Sequence, residues 1–568
     1  MEGLDVVKNL LKKGDWMAKL DLKDAYLTVP VCFAHQPFLF TCLPFGLAPV
    51  PRVFTKLLKP VMAALRSKRV RVIIYLEDML FLNERREGLL TDVKLASDLL
   101  QGLGFLINWE KSHPSPTQTL EFLGMILDSP SLAFILPEKK REKTRKLCVH
   151  ALKNNRIKLR NLAKIMGNFA WAIPAVPFAQ AHYRKIQRDL IGALHKNVGD
   201  FESCFTLSEE AKADLSWWIT NMDSSKGKVI FSGEPDMTIF SDASLTGWGA
   251  VFNGSTARGP WSVEDSQRHI NELELLAAFF ALQSFAATAS NISISLQMDN
   301  CTAVCNINRG GGTHSRSLSD LATQISSWCE SHQITVHASY LPRHLNIVAD
   351  RESRMGLDSS DWALDQEVFT AINNVWTCQV DLFAAAWNNK LEKLFAWTPQ
   401  PQATGVDAFS TSWKCLKAYA FPPFGLILRS LAKIRREQAS LVLVSLYWPS
   451  AAWYPLLLEL AVDVARILKQ DAKLLTSPSG EAHPLPLCLI AWKLSGNAYK
   501  TKAFRRRWST YCWMGHANPH ELLTSRPGTL MASSKFEFEL FSHKKWSAFC
   551  PSSSFALTSI PSWIKSLI

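Results

Sequence analysis

The sequence has no paired-cysteine motif. None of its 12 cysteines belongs to a CxxC pair. Cys301 and Cys305 are separated by three residues, but no His or Cys pair follows them at the spacing of a zinc site. This pattern argues against a zinc module. We expect reduced thiols in an intracellular protein of the cytoplasm, the nucleus or both.

A secretion signal and a membrane span are also missing from the pattern. Lysines interrupt the apolar positions of the first 16 residues, MEGLDVVKNLLKKGDW, so they do not resemble a signal peptide. The most apolar region, residues 441–468, contains Pro449, Pro455, Glu459 and Asp463. These residues favour a buried strand followed by a helix. The sequence therefore predicts a soluble chain without a membrane partner.

What the sequence does contain is length, apolar residues and positive charge. At 568 residues it is too long for a single core, and its 47% hydrophobic content is that of a folded, multidomain protein. The formal net charge of +13 makes a polyanion the first partner to consider.

The segment RVIIYLEDMLFL joins two strand-like apolar runs through an acidic pair, Glu77 and Asp78. Adjacent carboxylates at a hairpin tip favour a bound cation, and oxygen ligands suit magnesium. Taken alone, the pair is equally compatible with a solvated acidic turn. Upstream, another strand-like run ends near Asp21, and Tyr26 follows it. If the strands are neighbours, Asp21 can share a metal with the hairpin.

Five motifs occur in one order: LDLKDAY at residues 20–26, LPFGLAPVPR at 43–52, YLED at 75–78, GFLINWEKS at 104–112 and EFLG at 121–124. This order and spacing resemble the palm of a retroelement reverse transcriptase. The resemblance implies RNA-directed DNA synthesis, a nucleotidyl transfer that depends on two magnesium ions held by carboxylates.

The resemblance also implies a role for each matching residue. The implied metal ligands are Asp21, Glu77 and Asp78. Tyr26 corresponds to the aromatic gate that excludes a ribose 2′-hydroxyl, and Lys111 to the lysine that protonates the leaving pyrophosphate. The segment under the incoming nucleotide and template contains Phe45, Gly46 and Arg52. The implied primer grip is Phe122, Leu123 and Gly124.

Two departures from the family pattern predict an impaired polymerase. The family has Tyr-x-Asp-Asp at the hairpin, whereas this chain has Glu77. The extra methylene displaces the carboxylate or its ion, and magnesium tolerates little deviation from octahedral geometry. The family's fingers lie upstream of the palm, but Asp21 is close to the first residue of this sequence, so we expect the fingers to be missing.

Residues 135–220 have helical periodicity and many basic residues, and by position they match the thumb and connection. One basic cluster comprises Lys139, Lys140, Arg141, Lys143, Arg145 and Lys146. A second comprises Lys153, Arg156, Lys158, Arg160 and Lys164. A solvated charged face is the alternative to phosphate contact, which we favour here.

Within residues 233–356, two strand-like segments end near Asp242 and Asp299, and two helix starts carry Glu274 and Asp350. In this order the segments resemble ribonuclease H. The resemblance implies that these four carboxylates hold two magnesium ions for cleavage of RNA in RNA–DNA hybrids. Glu272 competes with Glu274, but the Glu-Leu-x-Ala spacing favours Glu274. His344 is implied to assist product release.

Residues 357–496 alternate between strand-like and helical patterns, which predicts an α/β unit. They resemble the adenine-N6 methyltransferase-like region of DIRS-class retrotransposons, which carry a tyrosine recombinase. The family signature is [Asp/Asn]-Pro-Pro-[Tyr/Phe], but Phe421 precedes Pro422 and Pro423, and no glycine-rich cofactor loop is evident. We therefore expect no active methylation. Residues 497–568 begin with basic residues, continue as Ser-rich sequence and predict a flexible tail.

The sequence thus predicts a multidomain α/β and α+β chain. The expected domains are a palm at residues 1–134, a thumb and connection at 135–232, a ribonuclease H-like domain at 233–356, a methyltransferase-like region at 357–496 and a tail at 497–568. The implied partners are an RNA template, a DNA primer, RNA–DNA hybrid and dNTPs. The alternatives are a non-catalytic nucleic-acid-binding retroelement remnant and a DNA methyltransferase. The oligomeric state stays open.

Overall fold

The computed structural model of the chain forms two compact units. It describes residues 2–30, 41–154, 156–222, 227–230, 234–355, 362–468, 471, 473–477, 481–513 and 539–540. Unit 1 comprises Met1–Glu234 with Arg309–Ser319, and unit 2 comprises Pro235–Asn308 with Asp320–Ile568. Among the described residues, no helix combines the length and apolar character needed to cross a lipid bilayer.

Unit 1 begins with a mixed α/β region and continues with a helical region. Its helices are α1 (Leu4–Leu10), α2 (Val50–Ser67), α3 (Arg86–Gly102), α4 (Glu138–Lys153), α5 (Leu159–Ala172), α6 (Ala181–Lys196) and α7 (Glu209–Asn221). Its strands are β1 (Trp16–Lys23), β2 (Arg71–Tyr75), β3 (Asp78–Asn83), β4 (Leu106–Ile107), β5 (His113–Thr117), β6 (Thr119–Phe122), β7 (Met125–Asp128), β8 (Ala133–Ile135), β9 (Ile157–Lys158), β10 (Cys204–Phe205) and β11 (Lys228–Val229).

The first sheet of unit 1 has the order β2-β3-β1-β4, and β5 also pairs with β1. Strands β2 and β3 form the hairpin that the apolar runs predicted, with Asp78 as the first residue of β3. Helix α2 buries Phe54, Leu58 and Leu65 in the core that covers one side of this sheet. Because these positions are four and seven residues apart, they lie on one helical face.

A buried ion pair joins the start of β1 to β2. Arg71 donates to both carboxylate oxygens of Asp15 at 2.7 Å, and the Asp15 side chain has no solvent exposure. The same carboxylate accepts the backbone N–H of Lys12 at 2.8 Å. A bidentate ion pair of this kind fixes the relative orientation of the two side chains and also compensates their charges.

The helical region of unit 1 encloses a second core. The sheet β11-β8-β7-β6 contributes residues to this core. Helices α4 to α7 pack around the core. Phe169 of α5 stacks on Trp218 of α7 with ring centroids 4.0 Å apart, and both side chains are fully buried. The predicted helical character of residues 135–220 is thus present in the structure, apart from Asn155, which lies outside the described residues.

Unit 2 opens with a five-stranded sheet. Its strands are β12 (Met237–Ala243), β13 (Gly247–Phe252), β14 (Ser255–Pro260), β15 (Ser293–Met298) and β16 (Thr335–Tyr340). The accompanying helices are α8 (Ile270–Phe285), α9 (Cys301–Arg309), α10 (Arg316–Ser331) and α11 (Ile347–Arg354). The strand order is β14-β13-β12-β15-β16. Strand β12 is parallel to β15 and antiparallel to β13, and β15 is parallel to β16.

The rest of unit 2 is an α/β unit, as the alternating pattern predicted. Its strands are β17 (Ala363–Leu364), β18 (Val380–Asp381), β19 (Lys393–Ala396), β20 (Gly405–Val406), β21 (Ala418–Ala420), β22 (Ser440–Leu446), β23 (Arg466–Ile467), β24 (Leu475–Thr476), β25 (Leu489–Ser495) and β26 (Glu539–Leu540). Its helices are α12 (Gln366–Val375), α13 (Ile427–Glu437), α14 (Tyr454–Leu460) and α15 (Ala498–Trp513). Strand β22 and helix α14 are the buried strand and helix expected within residues 441–468.

The main sheet of this region has the order β20-β19-β18-β21-β22-β25-β23-β26. Strands β20 to β22 of this path run parallel, and β25 is antiparallel to both β22 and β23. Helix α15 occupies the start of the segment that was predicted as a flexible tail. Apart from β26, the remainder of that segment lies outside the described residues.

Candidate active sites

The first candidate site lies at the β2–β3 hairpin. Asp21 and Asp78 are direct partners in the β1–β3 ladder, and the backbone N–H of Leu22 donates to the Glu77 carbonyl at 3.0 Å. The turn is strained, since Leu76 has a φ of +54°. Asp21 is buried, and burial together with the Asp78 charge raises the pKa of its carboxyl. Asp21 and the hairpin are thus neighbours, which was the condition for sharing a metal.

The ammonium group of a lysine lies beside one of these carboxylates. Lys19, two residues before Asp21 on the same face of β1, places its ammonium 2.7 Å from Asp78 Oδ1. Asp21, Glu77 and Asp78 do not form a set of ligand atoms within 4.8 Å of one another. In the described part of the chain, the three residues whose ligand atoms lie this close together belong to a different site. As it stands, the hairpin therefore does not present three carboxylates to one ion.

Tyr26 lies beside the hairpin in a packed aromatic group. Its ring contacts Phe54 and Phe45 edge to face, with centroids 5.2 and 5.1 Å away. Burial, with the nearby Glu77 charge, raises the pKa of its hydroxyl. Phe45 remains 66% exposed, and Gly46 and Arg52 are exposed too. These residues form an open surface next to Tyr26.

Lys111 and two of the three residues of the predicted primer grip, Leu123 and Gly124, line one cavity of about 650 Å³ in unit 1. Its walls include Lys19, Asp78 and Lys111 from the hairpin side, Leu123 and Gly124 from the β6–β7 turn, and Lys140 of α4. The Phe122 side chain is fully buried in the core. The structure thus gathers the hairpin, Lys111 and the β6–β7 turn around a basic cavity.

Lys140 closes this cavity from the helical side. Its ammonium lies 3.5 Å from the centre of the Trp171 ring and 3.5 Å from the Gly124 carbonyl. Gly124 has a φ of +76°, and a Cβ there would lie 2.3 Å from the ammonium. The positive φ therefore favours glycine here, and a Cβ would also displace the Lys140 ammonium from its contact with the Gly124 carbonyl.

The second candidate site is the carboxylate group at one edge of the β12–β15 pair. Asp242 belongs to β12, Glu274 to α8, and Asp299 directly follows β15. Each of the three offers an oxygen, and these oxygens lie within 4.8 Å of one another. Because β12 and β15 are parallel, their carboxyl ends meet at the same edge and bring Asp242 and Asp299 together.

Because Asp242 and Glu274 are buried, their charged forms are unfavourable unless a cation is bound. Burial raises the pKa of Asp242 to about 6, against the opposing hydrogen bond from Ser353. Burial and the Asp242 charge raise the pKa of Glu274 to about 9, and Glu274 Oε2 has no hydrogen-bond partner in the described part of the chain. A buried oxygen without a donor, beside two further hard oxygen ligands, fits a divalent cation such as magnesium.

The structure also distinguishes the two glutamates of α8. Glu274 is 4% exposed and belongs to the carboxylate group. Glu272 lies 3.7 Å from Arg268 at the start of the helix. The geometry therefore places the residue favoured by the spacing at the site.

Asp350 lies near the group, and its charge contributes to the raised pKa of Asp242, but two arginines hold its carboxylate. Arg343 and Arg354 both contact its Oδ1 at 3.0 Å, and the hydrogen bond from Arg354 lowers the pKa of this carboxyl. It is not among the three mutually close ligands. His344 is exposed in the turn before α11. The roles predicted for Asp350 and His344 stay predictions.

One residue at this site was not foreseen from the sequence. Ser353 of α11 is 1% exposed, and its Oγ lies 2.7 Å from Asp242 Oδ2. A serine within a helix carries no distinctive pattern, so only the packing of α11 against the sheet reveals this contact.

A third group lies at the carboxyl edge of the main sheet. Asp381, the last residue of β18, is buried and accepts the backbone N–H groups of Phe383 and Lys390. Burial raises its carboxyl pKa to about 6. A cavity of about 230 Å³ opens beside it, lined by Leu382, Phe383, Ala384, Phe395, Ala396, Trp397, Asp407, Ala408, Pro423 and Leu426.

Comparison with known proteins identifies part of the chain. The reverse transcriptase (RNA-dependent DNA polymerase) family matches residues 3–127. No curated protein matches the sequence.

Solved structures show distant likenesses. A foamy viral protease–reverse transcriptase dRH in complex with double-stranded DNA is 16% identical, with a TM-score of 0.35 over 59% of this chain and 58% of that one. A foamy viral protease–reverse transcriptase in complex with RNA/DNA hybrid is 16% identical, with a TM-score of 0.37 over 64% of this chain and 49% of that one. The chain thus spans little more than half of the first protein. The family match covers β1, the β2–β3 hairpin, Tyr26 and Lys111, and we conclude that residues 3–127 form a reverse transcriptase domain.

Proposed function

We propose that the chain is a DIRS-class retroelement protein whose main retained chemistry is magnesium-dependent cleavage of RNA in RNA–DNA hybrids by residues 233–356. The observation that supports this proposal is the group of Asp242, Glu274 and Asp299, with ligand oxygens within 4.8 Å of one another and one of them buried without a donor. Magnesium bound there supplies Lewis-acid stabilisation of the scissile phosphate and an activated water.

The residues of the chain supply the rest of the site. Asp242, Glu274 and Asp299 would hold the cation. Asp350, the fourth ligand that the resemblance implies, is paired with Arg343 and Arg354. Lys140 and the other basic residues of α4 provide phosphate contacts in unit 1. The implied partners are RNA–DNA hybrid, an RNA template, a DNA primer and dNTPs inside the cell.

The direct test is cleavage of a hybrid labelled in the RNA strand by the purified full-length chain. We expect RNA cleavage with magnesium and none with a chelator, while labelled single-stranded RNA stays intact. A hybrid that is bound in a salt-sensitive way but not cut contradicts the proposal. That result establishes the alternative, a non-catalytic nucleic-acid-binding remnant.

Magnesium should stabilise the protein more strongly at high pH. The pKa values of about 6 for Asp242 and about 9 for Glu274 exceed the ordinary values of roughly 4. The metal-free fold therefore binds more protons than the unfolded chain, and its free energy of unfolding falls as pH rises between about 4 and 9. Magnesium needs the deprotonated carboxylates, so its contribution grows over the same range.

Thermal unfolding with magnesium and with chelator, at about pH 5.5 and about pH 8, measures this effect. We expect the larger increase in Tm at the higher pH. The variant Asp299→Asn is the control and should lose most of the increase at both pH values. Equal increases for the unmodified chain at the two pH values contradict the site as described.

DNA synthesis by the reverse transcriptase domain is proposed to be weak or absent. Glu77 lengthens one carboxylate, and Lys19 already neutralises Asp78 at 2.7 Å. In the described structure the three carboxylates do not converge on one ion, so the hairpin lacks the ligand set that two-metal nucleotidyl transfer needs.

The substitution Glu77→Asp alone should leave incorporation of labelled dNTP on a primed RNA template at background. It shortens one side chain but leaves the Lys19–Asp78 ion pair in place. Asp21→Asn sets the background. Incorporation above that level, by the unmodified chain or by Glu77→Asp, overturns the expectation.

A second candidate function concerns residues 357–496, which we propose are methyltransferase-like and bind a small ligand without transferring a methyl group. The cavity at the carboxyl edge of β18, β19 and β20 supports this, because parallel α/β sheets bind ligands where the strand order changes direction. Phe421 packs near Phe424, with ring centroids 6.4 Å apart, and offers no polar group to an adenine.

Calorimetric titration with S-adenosylmethionine tests this second candidate, with Trp397→Ala as the variant at the cavity wall. We expect binding that weakens in the variant and no methylation of adenine-containing DNA. Methyl transfer to DNA contradicts the inactive assignment, and the absence of binding removes the candidate.

A further inference from the structure

The hydroxyl of Ser353 holds one carboxylate of the second candidate site. Ser353 Oγ lies 2.7 Å from Asp242 Oδ2 and 2.9 Å from the backbone oxygen of Asp350. Ser353 and Asp242 are 1% and 2% exposed, so water does not compete for this bond. A hydrogen bond to a charged acceptor is stronger and shorter than a neutral one. The shorter contact therefore receives the proton.

The fold brings α11 unusually close to the sheet to make this contact. Gly249 of β13 pairs directly with Asp242, and a Cβ at Gly249 would lie 2.4 Å from the Ser353 nitrogen and 2.5 Å from the Ala349 oxygen. Any larger residue would push the helix away. In addition, Ser244 Oγ donates to the Ser353 carbonyl at 2.6 Å. The backbone of Ser353 is thus fixed from two sides.

This arrangement restricts the orientation of Asp242. With Oδ2 held by Ser353, the carboxylate cannot rotate freely about its Cβ–Cγ bond. It therefore presents a fixed edge to Glu274 and Asp299. Removal of a residue that orients a metal ligand in this way commonly lowers metal affinity by about 10- to 100-fold.

We infer that Ser353 is a positioning residue for the metal-binding carboxylate Asp242. The inference rests on the proposed function of this site, but it concerns cation affinity and can be tested without hybrid cleavage. It adds a residue of α11 to the site, because the same helix that carries Asp350 also orients Asp242. A purely structural role, in which the hydroxyl only satisfies a buried carboxylate, is the competing explanation.

The test is Mn²⁺ binding to the full-length chain, followed by electron paramagnetic resonance and by calorimetry with Mg²⁺. Asp299→Asn defines the fraction of binding that belongs to this site. We expect Ser353→Ala to weaken that fraction about tenfold, and Ser353→Thr, which keeps a hydroxyl, to restore most of it. Ser241→Ala is the matched control, since it removes a buried hydroxyl of β12 that has no hydrogen-bond partner in the described structure.

The outcomes separate the possibilities. A lower Tm for Ser353→Ala with unchanged metal affinity overturns the inference and leaves a structural role. If Ser353→Ala does not fold, Ser353→Cys replaces it, because a thiol of similar size is a much weaker donor. Weaker metal binding in either variant, in a chain that cuts no hybrid, keeps the inference and removes the proposed function.

Discussion

Asp299→Asn should abolish hybrid cleavage, with a loss on the order of a thousandfold or more, equivalent to about 4 kcal/mol in transition-state free energy. Asp299 follows β15 and is only partly buried, so an isosteric amide there leaves the fold intact. It replaces a charged ligand oxygen with a neutral one in a group of three. The remaining carboxylates cannot hold the cation in place.

Glu272→Gln provides the matched control for this variant. It removes a carboxylate from α8, two residues before Glu274, where the side chain lies beside Arg268 at 3.7 Å. We expect its cleavage rate to stay within a few-fold of the unmodified chain. Cleavage that persists in Asp299→Asn, or disappears equally in Glu272→Gln, contradicts the ligand assignment.

Arg71→Ala should destabilise unit 1 by about 3 kcal/mol. The substitution leaves the Asp15 carboxylate, whose side chain is fully buried, without the two hydrogen bonds of 2.7 Å that compensate its charge. Removing one partner of a buried pair costs several kcal/mol because the other charge remains desolvated. The partial exposure of Arg71 places the value at the lower end of that range.

Denaturant unfolding of the full chain, followed by tryptophan fluorescence, measures this loss. Lys12→Ala is the control, since Lys12 forms an exposed ion pair with Glu84 at 2.6 Å. Exposed pairs of this kind contribute roughly 0–1 kcal/mol. If the two variants unfold at the same denaturant concentration, the buried pair does not carry the stability that we assign to it.

Several parts of the fold follow from local sequence patterns. The apolar runs around Glu77 and Asp78 predicted β2 and β3, and alternation predicted β15 before Asp299. These signals are strong because strands buried on one or both faces restrict every side chain along the segment. Local patterns also correctly predicted that Glu274 lies in a helix and Asp242 in a strand.

The features that escaped prediction depend on contacts between distant segments. The ion pair of Lys19 with Asp78 depends on the pairing of β1 with β3, which a single sequence does not specify. The Ser353 contact depends on how closely α11 approaches β13 at Gly249. Helix α15 was not predicted because its sequence is rich in basic residues and has no clear apolar stripe.

The parallel pairing of β12 with β15 has a consequence for how the protein acquires its second site. The two strands are separated in the chain by β13, β14 and α8, so the ladder closes only after a long loop has lost its entropy. Non-local pairing of this kind forms slowly compared with helices and hairpins. During refolding, metal affinity should therefore return after helical signal, and a chain still emerging from the ribosome cannot bind the cation until residues beyond Asp299 are available.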